Sequence, residues 1–215
     1  MTYPLPHGLP GLFIALEGGD GAGKSTQVSL LCRALEEDGR NVVRTREPGG
    51  TPIGETLRSL VLEHGHGEID ARTEALLFAA SRAAHVHQVI VPALTRGDVV
   101  VCDRYIDSSV AYQGVGRDLG ARAVLDVNLW ATDGLRPDLT VLLDVDPAEG
   151  RSRRTAGRPG EDRMESEPDG FHARIRAAFL ELAQADPDRY LVLSAAASTE
   201  EIHAAVLEQL TRIPA

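Results

Sequence analysis

The stretch from Gly18 to Ser25 reads GGDGAGKS and matches the spacing G-x-x-x-x-G-K-S/T. It follows an apolar run, Leu12 to Leu16, and precedes a helical pattern, which is the context that a phosphate-binding loop requires. Glycines at this spacing let backbone N–H groups turn inward around phosphate oxygens, at the positive end of the next helix. The stretch therefore predicts a P-loop, with Lys24 on the terminal phosphates and Ser25 as a ligand of Mg²⁺.

Lys24 is the only lysine among the 22 Lys and Arg residues of the sequence. A compact ammonium fits a tight phosphate cradle better than a planar guanidinium does. The single lysine thus favours the P-loop over the alternative, a glycine-rich turn that caps an ordinary helix.

The whole chain has 215 residues and a formal net charge of −10. This length suits one domain, and the acidic balance argues against a nucleic-acid polymer as a partner. Residues 1–11 lack the features of a signal peptide, and no apolar run is long enough to span a membrane. We expect a cytoplasmic protein with a tail over residues 1–11 and a single domain over residues 12–215. Cys32 and Cys102 have no metal-ligand spacing and are predicted to be reduced core thiols.

Short apolar runs alternate with helical patterns along the chain. This alternation predicts an α/β fold in which helices flank a five-stranded parallel sheet on both faces, with ligands beyond the carboxyl ends of the strands. The predicted strands are Leu12–Glu17, Asn41–Thr45, Val99–Cys102, Leu139–Val145 and Tyr190–Leu193. The predicted helices lie near residues 24–38, 52–64, 72–96, 121–131, 166–185 and 198–212.

Two polar segments follow predicted strands. Residues 46–51 read REPGGT, and a proline with two glycines forces a turn, although a plain strand-to-helix connection would read the same way. Asp103 and Arg104 follow the third strand, where a carboxylate can hold Mg²⁺ directly or through water and an arginine can bridge phosphates. The alternative for Asp103 is a helix cap.

The helix near residues 72–96 carries Glu74, Phe78 and Arg82 at intervals of four, so they share one stripe. Phe78 is either ordinary core or a platform for a planar ring, with Arg82 donating to an exocyclic oxygen. The packing surface of the helix is predicted to lie elsewhere, on Leu77, Ala80 and Ala84.

Five arginines crowd the segment after the fourth strand, around the sequence GRPG at 157–160. Charge runs are usually solvated faces, but beside a nucleotide site this pattern predicts a lid, at about residues 148–165, that closes over transferring phosphates. The five are Arg151, Arg153, Arg154, Arg158 and Arg163.

Five motifs, in the same order along the chain, resemble those of bacterial thymidylate kinases. They are GGDGAGKST (18–26), TREPGGT (45–51), LLFAASR (76–82), DRYIDSSVAYQG (103–114) and RTAGRPGEDR (154–163). The resemblance runs from about Leu12 to the C-terminal helix. It implies the nucleoside-monophosphate kinase version of the P-loop fold, ATP and Mg²⁺, phosphorylation of dTMP to dTDP for dTTP synthesis, and a homodimer.

The resemblance also implies how dTMP is bound. Phe78 would stack on thymine and Arg82 would bond a base carbonyl, while Ser109 and Gln113 lie along the base edge. The remaining contacts concern the sugar and the phosphate: Tyr112 packs near the sugar, Asp20 accepts from the 3′-hydroxyl, and Glu47, Arg58 and Arg104 organise the monophosphate and its magnesium.

The ATP site implied by the resemblance is the P-loop. Its residues are Gly18, Gly19, Asp20, Gly21, Ala22, Gly23, Lys24, Ser25 and Thr26. Relatives of the eukaryotic kind carry arginine after the P-loop acid, whereas this chain has Gly21. Arg158 in the lid is therefore predicted to be the catalytic cation, with Arg154 and Arg163 as alternatives.

No catalytic base is predicted, because a phosphate monoester with a second pKa of about 6 is largely dianionic at neutral pH. Alignment and charge stabilisation by Lys24, Mg²⁺, Arg104 and a lid arginine would supply the catalysis. One alternative is a P-loop kinase for another small phosphate acceptor, which the base-edge residues disfavour. A GTP-binding switch would need an Asn-Lys-x-Asp motif, and the single lysine leaves none.

Overall fold

A computed structural model describes residues 7–156 and 160–213 of the chain. Its sheet has five strands, all parallel, in the order β2-β3-β1-β4-β5, which confirms the predicted fold class. The strands are β1 (Leu12–Gly18), β2 (Val42–Arg46), β3 (Val99–Asp103), β4 (Leu139–Asp144) and β5 (Tyr190–Ser194). Each lies within two residues of its predicted bounds.

The helices follow the predicted alternation. They are α1 (Lys24–Glu37), α2 (Pro52–Leu62), α3 (Ala71–His85), α4 (Val91–Thr95), α5 (Ile106–Ser109), α6 (Ala121–Ala131), α7 (Pro147–Thr155), α8 (Asp169–Ala185) and α9 (Thr199–Leu210). The predicted helix 72–96 is interrupted, because a π-helical segment, Val86–Ile90, separates α3 from α4. Pro92 has no N–H to donate to the preceding turn, which accounts for the change in the hydrogen-bond ladder.

The core lies on both faces of the two central strands. Alternate side chains of β1 enter different clusters: Ile14 and Leu16 pack with α1 and α9, whereas Phe13 and Ala15 pack with the π-helical segment and α4. Cys32 and Cys102 are buried free thiols, as predicted. Within residues 7–156 and 160–213, every helix is too short or too polar to cross a membrane.

The buried face of α3 differs from the prediction. Ala80 is exposed, and Leu77 and Ala84 are only partly buried, so the apolar surface proposed from them is wrong. Glu74 and Arg82, on the other stripe, are buried. Polar side chains occupy that face because each has a long-range partner: Glu74 pairs with Arg163, and Arg82 pairs with Glu47.

The parallel register brings the polar strand ends to one edge of the sheet. Asp103 at the end of β3 is level with Leu16 of β1 and with Arg46 of β2. The P-loop, the turn after β2 and the segment after β3 consequently meet at this edge.

Candidate active site

The P-loop connects β1 to α1. Gly18, Gly21 and Gly23 have positive φ angles of 130°, 80° and 93°, a backbone conformation that favours glycine. A Cβ on Gly21 would overlap the carbonyl oxygen of Gly150 in α7, and a Cβ on Gly150 would overlap the carbonyl oxygen of Asp20. The loop therefore needs glycine both for its turn and for its close approach to α7.

Lys24 lies across the loop that it follows. Its Nζ donates to the carbonyl oxygens of Gly18 at 3.0 Å and Gly19 at 2.8 Å. Burial and then the nearby Arg104 lower the pKa of Lys24 to about 8, against the raising effect of Asp20. A phosphate anion at the loop would place negative charge beside the Lys24 ammonium and so favour its protonated form.

Ser25 and Asp103 form the part of the site that fits a magnesium ion. The Ser25 hydroxyl donates to Asp103 Oδ2 at 2.8 Å, and both residues line the cleft. The described part of the chain contains no group of three or more His, Cys, Asp or Glu side chains that could hold a metal. An ion here would take its other ligands from phosphate and water, and Mg²⁺ is commonly bound in that way.

Arg104 has a φ angle of 70°, which is uncommon for a residue other than glycine. Its Nη2 lies 2.5 Å from Asp20 Oδ1, and its Nη1 donates to the Gly18 carbonyl at 3.1 Å and to Ser108 Oγ at 2.9 Å. The guanidinium also lies 5.3 Å from the centre of the Tyr112 ring. Arg104 thus connects the P-loop to α5 and to the π-helical segment Val110–Gly116 that follows it.

Asp20 is held by two donors at once. It accepts from Arg104 and, at 2.9 Å, from the Tyr112 hydroxyl. Burial alone would raise the pKa of Asp20, but Arg104, Lys24 and the Tyr112 hydroxyl outweigh it and lower the pKa below its ordinary range. The predicted sugar residues, Asp20 and Tyr112, therefore form one hydrogen-bonded pair with an ionised carboxylate.

Arg82 is buried at the other end of the cleft, where protein groups hold most of its donors. Its Nε lies 2.5 Å from Glu47 Oε2, and its Nη1 donates to Ser109 Oγ at 3.0 Å and to Asn128 Oδ1. Its Nη2 donates to the Tyr105 carbonyl at 3.0 Å. Nη2 carries a second N–H, for which the described residues provide no acceptor, so one donor is left for a ligand.

Phe78 lies one turn before Arg82 on α3. It is half-buried and lines the cleft, and the three apolar clusters of the described residues do not include it. This position agrees with a platform for a ring better than with ordinary core.

Glu74 connects α3 with three neighbours. It is fully buried and accepts from Gln113 Nε2 at 2.9 Å, Arg117 Nη2 at 3.3 Å and Arg163 Nη2 at 2.6 Å. Because Gln113 uses its Nε2 for Glu74, its side-chain amide oxygen is available to other partners. Arg163, one of the alternative lid cations, is bound to Glu74 and to the Val61 carbonyl at 2.8 Å, and it does not line the cleft.

The turn after β2 is attached to α3 through His85, which the sequence analysis did not identify. His85 Nδ1 lies 2.9 Å from Glu47 Oε1, and Nε2 lies 2.6 Å from Thr45 Oγ1. The helical spacing from Arg82 to His85 was a signal that could have found it. Arg58, on α2, donates to the Pro48 carbonyl at 3.0 Å and so braces the other side of the turn.

The proposed lid segment begins with a helix, α7. Asp146 caps the helix by accepting from the Ala148 N–H at 3.0 Å, and Pro147 occupies its first turn. Arg154 donates to Glu161 at 3.0 Å and, with Arg153, lines the cleft. Arg158, the predicted catalytic cation, lies outside the described residues.

These elements enclose one cleft with a volume of about 820 Å³. The predicted site residues that line it are Asp20, Gly21, Gly23, Lys24, Ser25, Thr26, Glu47, Arg58, Phe78, Arg82, Asp103, Arg104, Ser109, Tyr112 and Gln113. Gly18, Gly19 and Ala22 do not line it; the carbonyls of the two glycines bind Lys24, and Ala22 belongs to the core. Asp162 and Glu165 line it as well and were not predicted.

Comparison with known proteins agrees with this geometry. A family model described as Thymidylate kinase matches residues 16–206. The thymidylate kinase of Leifsonia xyli subsp. xyli (strain CTCB07) is 57% identical over 202 residues, which are 94% of this chain and 95% of that protein. The thymidylate kinase of Cutibacterium acnes (strain DSM 16379 / KPA171202) is 51% identical over 201 residues, 94% of this chain and 97% of that protein.

A solved structure extends the comparison to the fold. The crystal structure of thymidylate kinase from Ehrlichia chaffeensis matches with a TM-score of 0.77 and 34% identity, over 93% of this chain and 98% of that chain. The match confirms the P-loop nucleoside-monophosphate kinase fold that the resemblance implied. This chain belongs to the thymidylate kinase family.

Proposed function

We propose that this chain transfers the γ-phosphoryl group of ATP to dTMP and releases dTDP and ADP. Its family carries out ATP-dependent phosphorylation of dTMP. The observation that carries the assignment is that Lys24 of the P-loop and the half-buried Phe78 line the same cleft. A phosphate cradle and an aromatic platform in one cleft suit a reaction between two nucleotides.

The base end of the cleft selects thymine. Phe78 stacks on the ring, and the second N–H of Arg82 Nη2, which has no acceptor among the described residues, donates to a base carbonyl. Ser109 and Gln113 lie along the base edge, where Gln113 keeps its amide oxygen because its Nε2 donates to Glu74. A donor from Arg82 and an acceptor from Gln113 match the carbonyl and N–H groups of thymine.

Asp20 and Tyr112 bind the sugar. Asp20 is an ionised acceptor for the 3′-hydroxyl, and its contact with the Tyr112 hydroxyl at 2.9 Å fixes the direction of its free lone pairs. Tyr112 covers the position of a ribose 2′-hydroxyl, which favours deoxyribose. Burial raises the pKa of Tyr112 well above its ordinary value, so the hydroxyl stays a neutral donor.

The phosphate end works by alignment and charge. The acceptor phosphate is dianionic near neutral pH and needs no base. Lys24, Arg104 and a lid arginine stabilise charge on the transferring oxygens, while Glu47 and Arg58 organise the monophosphate. Ser25, and Asp103 directly or through water, would hold Mg²⁺, which would neutralise charge on the phosphate oxygens.

The lid, at about residues 148–165 of the single domain 12–215, excludes water by closing over the phosphates. Gly21 leaves the P-loop without an arginine of its own, so the cation comes from the lid. Arg158 is the residue that we assign to this role. Arg154 is the alternative that the cleft supports, whereas Arg163 serves as an anchor on Glu74.

The enzyme acts as a homodimer through α2, α3 and α6. Neighbouring helices in this group each carry exposed apolar side chains, and α3 packs against both of the others. An exposed apolar patch of this kind marks an interaction surface. The side chains and their exposed fractions are Ile53 (50%), Leu76 (58%), Val127 (36%) and Trp130 (84%).

An ADP-release assay with ATP, Mg²⁺ and each common nucleoside monophosphate tests the proposed reaction. We expect dTMP to be the best acceptor and dUMP to follow within a factor of about 10–200, since one methyl group is worth about 1–3 kcal/mol. Equal use of dCMP or dGMP would remove thymidylate as the substrate and leave a nucleotide kinase of broader range.

A further inference from the structure

Glu17 is the last residue before the P-loop glycines, and its side chain is fully buried. Its Oε1 accepts from the backbone N–H of Tyr105 at 2.7 Å and of Ser108 at 3.2 Å. Its Oε2 accepts from the Ser108 hydroxyl at 2.6 Å. One carboxylate at the end of β1 therefore binds the start of α5 through three donors.

The groups that Glu17 binds lie next to Arg104 on two sides: Tyr105 follows it in the backbone, and Ser108 contacts its guanidinium. The Arg104 N–H donates to the Leu16 carbonyl at 2.9 Å, and the next N–H, that of Tyr105, donates to Glu17. The left-handed backbone of Arg104 thus lies between two anchors on β1. At the other end, Ser108 Oγ donates to Glu17 and accepts from Arg104 Nη1 at 2.9 Å.

We propose that Glu17 is a positioning residue that sets the location of Arg104 relative to the P-loop. This inference rests on the proposed role of Arg104 at the phosphates. Residues held in sparsely populated backbone conformations persist only where their surroundings fix them. Glu17 fixes the backbone of Arg104 in this way, and it does so from β1, the strand that leads directly into the P-loop.

The placement of Glu17 is unfavourable for folding, which supports a functional reason for it. Burial and then the neighbouring Asp107 carboxylate raise the pKa of Glu17 to about 7. A buried carboxylate near another carboxylate destabilises the folded state, and local conflicts of this kind concentrate at functional sites. Asp107 itself accepts from the Tyr190 hydroxyl at 2.5 Å and has no hydrogen bond to Arg104 among the described contacts.

A double-mutant cycle tests the inference with Glu17→Gln and Arg104→Ala, alone and together. Glutamine keeps the shape of the side chain but replaces one acceptor oxygen with a donor that faces Ser108. We expect kcat to fall about tenfold to a hundredfold in Glu17→Gln, since small displacements of an aligned group have effects of this size. KM for ATP should change less than twofold, because the P-loop backbone is retained. Glu208→Gln, the same substitution at an exposed position on α9, is the control and should keep kcat within twofold.

The cycle separates the inference from the proposed function. We expect Glu17→Gln to have almost no further effect in the Arg104→Ala background, because its target is already absent. Equal effects of Glu17→Gln in both backgrounds, or an unchanged kcat in the folded single variant, would overturn the positioning role. An unchanged kcat in Arg104→Ala would instead refute the proposed role of Arg104. Far-UV circular dichroism and Tm show whether each variant is folded.

Discussion

Arg163 Nη2 lies 2.6 Å from Glu74 Oε2, which ties the end of the lid segment to the helix that carries Phe78. The bond joins residues 89 positions apart in the chain. Glu74 also accepts a hydrogen bond from Gln113 Nε2, at the base end of the cleft. The end of the proposed lid is therefore anchored beside the base pocket, and we expect any closure to come from the part before Arg163.

Arg163→Ala should lower Tm clearly and change kcat little. It leaves the buried Glu74 with one charged partner fewer, at a cost of about 2 kcal/mol, because hydrogen bonds to charged groups contribute about 1.5–3 kcal/mol. For a chain of this size the expected fall in Tm is roughly 4–8 °C. Arg122→Ala, which removes an exposed pair with Asp126, is the control and should change Tm little. If Arg163→Ala abolished kcat at normal Tm and Arg158→Ala were silent, Arg163 would be the lid cation.

Lys24→Met should abolish phosphoryl transfer while the chain still folds. Loss of one preorganised charge at the developing phosphate charge costs about 3–4 kcal/mol, or several hundredfold in rate. The measurement is kcat by ADP release, with circular dichroism to verify the fold. Activity within a few-fold of the parent would refute the P-loop assignment.

Arg82→Ala should narrow the preference for dTMP over dCMP. Cytosine places an amino group where Arg82 donates, so two donors face each other in the parent protein. Arg82 also holds Glu47 and Asn128, so the variant loses stability as well. The ratio of kcat/KM for dTMP and dCMP does not depend on the folded fraction and is the quantity to measure. An unchanged ratio would show that Arg82 does not read the base.

Glu17→Gln should change how stability depends on pH. The folded chain keeps the proton of Glu17 up to a pKa of about 7, whereas the ordinary value is 4.5. The folded state thus binds more protons between these values, and the free energy of unfolding falls as pH rises through this window. The loss amounts to about 3 kcal/mol and should be absent in the variant.

Urea unfolding at pH 4.5 and pH 7.5 measures this difference. The variant should gain stability relative to the parent as pH rises, while Glu208→Gln, an exposed control, should run parallel to the parent. A constant difference between Glu17→Gln and the parent would contradict the raised pKa.

Trp130→Ser should weaken self-association. The side chain is 84% exposed, and the homodimer would bury it together with Leu76 of α3. Light scattering after gel filtration should give about 46 kDa for the parent, twice the 23.1 kDa of one chain, and a smaller average mass for the variant at low concentration. Val192→Ser, an exposed apolar position on β5, is the control. A parent protein that runs as a monomer would refute the dimer.

The sequence predicted the sheet, its strands and the P-loop because those features depend on local spacing and periodicity. It failed on the buried face of α3, where apolar content pointed to Leu77 and Ala80. The buried side chains there are charged, and their partners come from distant segments, as in the pairs of Glu74 with Arg163 and Arg82 with Glu47. Single-sequence patterns carry no record of such pairings. Glu17 was missed for the same reason, whereas the helical spacing from Arg82 could have found His85.

The contact between Gly21 and Gly150 also limits which side chains the P-loop can carry. Neither position can gain a side chain while the other segment stays where it is, since each Cβ would meet a backbone carbonyl across the gap. A side chain at position 21 therefore requires α7 to move away from the P-loop. A cation on the P-loop at this position would thus need a change in α7 as well as the substitution itself.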